Sequence, residues 1–200
     1  MAHVMRSALV LSLLLLGSSA FLAAQTPADP IYIRTANGWK GVYGIDEEYA
    51  QYSVKGTEVK LQDAHHLLLN PTVGLAVAFV DRKELNAGND LLGSHVQWEL
   101  DYWKKHASKV ESLPRNDLSG GRDDLRITEI RLYNNQGERL TMYLIGLAAQ
   151  QGVFALGVSY PGDASVDSLV TEIASSFKLV HRKLDPDEVK RLSLEVRSKP

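Results

Sequence analysis

The sequence predicts an α+β domain built on an antiparallel sheet with helices packed on both faces, and three patterns carry that expectation. Apolar runs at residues 125–133, 138–148 and 153–160 are separated by short turn signals, and connections that short join antiparallel neighbours. Leu92, Val96, Leu100, Trp103, Ala107 and Val110 step by three and four residues, which traces one face of a helix. Gly74 to Val80 is a nearly continuous apolar run, too short for a helix and suited to a strand buried on both faces.

The chain opens MAHVMRSALVLSLLLLGSSAFLAAQTP. Arg6, an apolar run from Ala8 to Leu16, and the small residues Gly17, Ser18, Ser19 and Ala20 stand in the order of a secretory signal peptide. Spanning a bilayer takes about 20 residues, so residues 1–24 read as a cleaved signal, with an uncleaved anchor as the alternative. Cleavage fits after Ala20 or Ala24, and the polar Gln25-Thr26-Pro27 favours Ala24. A lipidated N-terminus needs a cysteine, and the chain has none. Periplasmic or secreted location is the expectation.

Residues 25–30 carry Pro27 and Pro30 and read as a flexible lead. Residues 31–34 form a first strand, ending at Asn37-Gly38. Apolar residues then thin out, so 49–54 and 59–61 are expected as short edge strands. After the strand at 74–80 the long helix begins at Asp90 as N-cap and runs to Pro114, with Leu91, His95, Trp98 and Tyr102 widening its buried stripe. The loop 116–124, with Ser119-Gly120-Gly121, is expected to be the most flexible interior segment. The three-strand meander follows, with apolar residues in both registers. A second helix opens near Asp163 or Ser165, buries Val166, Leu169, Val170, Ile173 and Phe177, and closes at 177–180. Asp185-Pro186-Asp187-Glu188 then starts a C-terminal amphipathic helix over 184–198, with Val189, Leu192 and Val196 as its stripe.

Removing 24 residues leaves one domain's worth of chain with 21 Lys and Arg against 24 Asp and Glu, a formal charge of −3. That balance argues against nucleic acid as partner, because phosphate binding is driven by clustered cations. Zero Cys removes disulfides, thiolate nucleophiles and Cys-ligated metals.

The order of strands, a Trp-bearing helix, a meander and a helix ending Ile173-Ala174-Ser175-Ser176-Phe177 resembles the PsbP-like superfamily. That group includes a photosystem II oxygen-evolving subunit, DcrB-like periplasmic proteins and a Ran-binding nuclear import factor. Gly152-Val153-Phe154-Ala155-Leu156 and Tyr160-Pro161-Gly162-Asp163 carry the local likeness, which covers about residues 31–180. The resemblance implies an α/β/α sandwich and members that bind other proteins. It implies no catalytic residue, and the charged tail after Lys183 goes beyond its pattern.

Individual residues give few chemical signals. His95 and Glu99 are one helical turn apart and present two metal-ligating groups, but no third ligand stands at a recognisable spacing; a partly buried structural histidine is the preferred reading. His65 and His66 are adjacent and on a strand point to opposite faces. Asp46-Glu47-Glu48 and Asp123-Asp124 lack the alternating spacing of a calcium loop, and no serine sits in a nucleophile elbow. Trp98 and Trp103 fall in the core. Trp39, Tyr43, Tyr49 and Tyr52 form an exposed aromatic patch on edge strands, the kind of surface that anchors a protein partner; Val189, Leu192 and Val196 offer a second such surface. The expected function is therefore an exported, non-enzymatic protein-binding module with no cofactor. Two alternatives stand beside it: a small-ligand or metal-binding periplasmic protein using a cleft beside His95 and Glu99, and a hydrolase without a sequence signature.

Overall fold

The computed structural model describes residues 29–45, 48–56, 59–85, 88–162, 165–182, 185 and 187. The segment read as a signal peptide, residues 1–24, and the expected C-terminal helix with Val189, Leu192 and Val196 lie outside the described residues. Within them the class is mixed α+β and all strand pairing is antiparallel, but the strands form two sheets rather than one. The smaller has the order β1 (Ile31–Thr35), β2 (Gly38–Ile45), β3 (Glu48–Lys55), β11 (Lys178–Val180). The larger has seven strands in the order β4 (Lys60–Leu61), β5 (His66–Asn70), β6 (Val73–Asp81), β10 (Gly152–Pro161), β9 (Arg139–Ala148), β8 (Leu125–Tyr133), β7 (Lys109–Pro114).

Two rows of residues show how the large sheet is buried on both sides. Val77, Leu156, Ile145 and Ile127 are register partners across β6, β10, β9 and β8. They join Tyr43, Tyr52 and Val54 of the small sheet in one core. Burying each such aliphatic side chain contributes about 1.5–3 kcal/mol. The next row, Ala78, Ala155, Gly146 and Arg126, faces the opposite way. Its three small members leave room for a helix to approach closely.

That helix, α1 (Leu91–Trp103), is capped by Asp90, whose Oδ1 accepts from the Gly93 N–H at 2.9 Å. It packs through Trp103, Val96 and Leu100 on Ile130, Leu132, Met142 and Leu144. The helix stops at Trp103 instead of running to Pro114. The chain turns, Ser108 Oγ donates to the Tyr133 and Asn134 carbonyls at 2.8 Å, and residues 109–114 become β7 beside β8. Val110 reaches the same apolar cluster from a strand that it would have reached from a helix, so the spacing alone did not separate the two.

The short edge strands expected between 43 and 61 are corrected as well. β2 and β3 are eight residues each and pair along their full length. Half of their buried apolar side chains are tyrosines: Tyr43, Tyr49 and Tyr52 are buried beside Val42, Ala50 and Val54. The meander matches expectation, and its first turn uses Gly137 at φ 75°, a left-handed position that favours glycine. Helix α2 (Asp167–Ser176) buries Val170, Ile173 and Ala174 against the core between the sheets. Phe177 turns extended, so residues 178–180 form β11 against β3 rather than the helix end.

Candidate functional site

Helix α1 carries a row of polar groups on the side that faces the large sheet. His95 and Glu99, one turn apart, are fully buried, with Nε2 and Oε1 3.9 Å apart, beyond hydrogen-bond length. Neither ring nitrogen of His95 has a hydrogen-bond partner, nor has Glu99 Oε1, nor, one turn on, the Trp103 indole N–H. The His95 ring lies over Gly146, where an added Cβ would come within 3.4 Å of Nδ1. Burial pushes the His95 pKa from 6.5 down to about 4. Burial also lifts Glu99 from 4.5 to about 7. Both side chains are therefore neutral near pH 5.5, and each unpaired buried group costs about 1–3 kcal/mol. Among the described residues no group of three or more His, Asp or Glu is placed to hold a metal, and two donors fall short of the four a zinc site takes. The histidine is wholly rather than partly buried.

The densest polar cluster lies at the other face, and sequence reading missed it. Arg115, just before the 3-10 turn at Asn116–Leu118, donates from Nη1 to Glu129 Oε2 at 3.0 Å and to the Tyr143 hydroxyl at 2.8 Å. Its Nη2 donates to Asp117 Oδ2 at 2.9 Å and Asp167 Oδ2 at 2.8 Å. Tyr143 donates to Asp167, and Arg131 Nε donates to Glu129 Oε1 at 2.6 Å. The guanidinium holds the Asp167 carboxyl below its usual range, the tyrosine hydroxyl adding to the effect. Burial pushes the Tyr143 hydroxyl up. Every member is satisfied, and the cluster ties β8, β9, the 3-10 turn and the start of α2 together. One signal was present in the sequence: Glu129 falls in register with the inward-facing Leu125 and Ile127, and an inward carboxylate requires a partner.

The loop 116–124, expected to be the most mobile, is anchored at both ends. Arg122 is fixed by Asp124 at 2.6 Å and donates to the carbonyls of Ala174, at 3.0 Å, and Phe177.

The exposed aromatic patch does not form. Tyr43, Tyr49 and Tyr52 are 3%, 5% and 3% exposed, and Trp39 is half-buried against the same core. Trp39, Tyr43 and Tyr52 face the main core, Tyr43 stacking edge-on to Phe154 and Tyr52 to Phe177, while Tyr49 packs with Ile33 and Val42 in a separate cluster. His65 lies in the bend before β5, with Nδ1 3.2 Å from the Val77 carbonyl, while His66 opens the strand and pairs with Asp63 at 2.8 Å. Trp103 is core and Trp98 partly so.

Among the described residues no strand pairs with the outer edge of β7, nor with those of β1, β4 and β11. The Arg115 N–H donates to the Ile127 carbonyl at 2.9 Å in the register that pairs Pro114 with Thr128. Odd-numbered residues of β7 thus bond to β8, and Val110 and Ser112 direct their N–H and C=O groups outward. Leu113, on this strand, is 49% exposed; Leu61 on the short β4 at the opposite edge is 51% exposed. Among the described residues no helix is long and apolar enough to cross a membrane. Comparison with protein-family models, curated proteins and solved structures returns no match.

Proposed function

We propose that the chain is an exported, non-enzymatic protein-binding module of PsbP-like architecture. In this reading helix α1 forms one outer layer of the sandwich, and α2 with the small sheet forms the other. The N-terminal pattern of charge, apolar run and small residues supports export. The observation that carries the binding role is the open edge of β7, where outward backbone groups at Val110 and Ser112 adjoin the exposed Leu113. An extended segment of a partner protein adds there as an eighth strand: backbone bonds supply affinity and Leu113 supplies an apolar anchor.

A photo-crosslinking residue at position 113, introduced into the full chain in its own cell envelope, is expected to give one discrete protein adduct. Ser112→Pro removes an outward donor and leaves the bonds to β8 intact, so it should abolish that adduct without lowering the melting temperature by more than a few degrees. No adduct at position 113, or one indifferent to Ser112→Pro, would overturn the reading.

A further inference from the structure

The edge of β3 is closed by two kinds of contact. β11 pairs only with Tyr49, Ala50 and Gln51. Beyond them, side chains of α2 complete the work: the Ser53 N–H donates to Ser176 Oγ at 2.8 Å and the Lys55 N–H to Glu172 Oε1 at 2.7 Å. Helix α2 and strand β11 therefore seal one side of the small sheet as a single piece.

That piece is gripped at both ends by one segment. At its start Arg115 holds Asp167, the first residue of α2, with bonds of 2.8 and 3.3 Å. At its end Arg122 donates to the carbonyls of Ala174 and Phe177. The Ala174 carbonyl also accepts from the Phe177 N–H at 3.2 Å, and a cation at this end complements the helix dipole. The attachment differs in kind from that of the large sheet. β10 is registered over eight or more residues with each neighbour, β11 over three with one.

We infer that residues 115–124 are a latch whose two arginines set how often α2 and β11 open together, uncovering the Ser53 and Lys55 amides while the seven-stranded sheet stays closed. The opening unit is sub-global, of the kind that exchanges amide hydrogens without whole-chain unfolding.

Native-state hydrogen exchange on the purified full chain, read by mass spectrometry over a series of low urea concentrations, tests this. Peptides covering 168–180 and 53–55 should exchange through one shared opening, about tenfold or more faster than peptides from 140–148 and 153–160. Arg122→Gln should speed the first group by about tenfold more and leave the second unchanged. Equal exchange of the two groups in the unaltered chain, or uniform acceleration by Arg122→Gln, overturns the latch. Should Arg122→Gln not fold, the urea series on the unaltered chain decides alone.

Discussion

Replacing Glu99 by Gln should turn a pH-indifferent core contact into a pH-sensitive one. Folded His95 is neutral down to about pH 4, against 6.5 for an exposed imidazole. Folded Glu99 stays protonated up to about pH 7, against 4.5 when exposed. Between pH 4.5 and 6.5 the unfolded chain holds the same two groups as imidazolium and carboxylate. Folded or unfolded, the pair then carries one proton, so folding neither binds nor releases one from it. Two opposed slopes underlie that level response. The depressed pKa of His95 gives stability that is complete above pH 6.5 and is lost as pH falls to about 4. The raised pKa of Glu99 gives stability that is complete below pH 4.5 and is lost as pH rises to about 7. Glu99→Gln keeps the first slope and deletes the second. The variant should lose about 1.4 kcal/mol per pH unit on acidification, about 3 kcal/mol between pH 6.5 and 4.5, relative to the unaltered chain. Asp63, Asp90, Asp117, Asp124 and Asp167, all held below their usual 3.8, stay ionised across this window and cancel in the comparison. Urea unfolding followed by tryptophan fluorescence at both ends of the window measures the difference. A Glu99→Gln profile parallel to that of the unaltered chain would refute the depressed pKa of His95 on which the neutral pair rests.

Two further substitutions follow from contacts already described. Gly41→Ala places a Cβ 2.3 Å from Cζ of Tyr52, whose buried ring is boxed in by Phe177; thermal melting should report a loss of about 1–3 kcal/mol, and an unchanged midpoint would mean that the ring is free to move. Asp167→Asn should lower urea stability at neutral pH by about 1 kcal/mol, the low figure reflecting a carboxylate that is 39% exposed. Because Arg115 depresses the Asp167 pKa, its contribution is complete above 3.8 and lost as pH falls below it, so the two stability curves should converge in acid; a gap that persists there would assign the loss to packing instead.

The elements that were legible in the sequence are those whose burial is set by one simple period. β8, β9 and β10 alternate or run apolar throughout and end at glycine or asparagine turns, and their limits fall within one or two residues of expectation. β2 and β3 were harder because they bury tyrosine, a residue whose ring is apolar and whose hydroxyl reads as surface. The end of α1 was misplaced because Val110 serves the same cluster from strand or helix. His95 and Glu99 were visible as a pair, since they share one helix face. The Arg115 cluster was not: its members stand at 115, 117, 129, 143 and 167, and only the folded chain brings them within reach of one guanidinium.

The position of β10 has a consequence for how the chain is made. It is the seventh strand of the large sheet to leave the ribosome, yet it lies between β6 and β9, and β6 precedes it by more than seventy residues. Until residues 152–161 emerge, the first half of that sheet has nothing to dock against the second, and long-range pairings of this kind are slow to form. Until then the two parts of the large sheet stay separate in a nascent chain, and an unpaired chain of that kind is capable of being threaded through a narrow conduit.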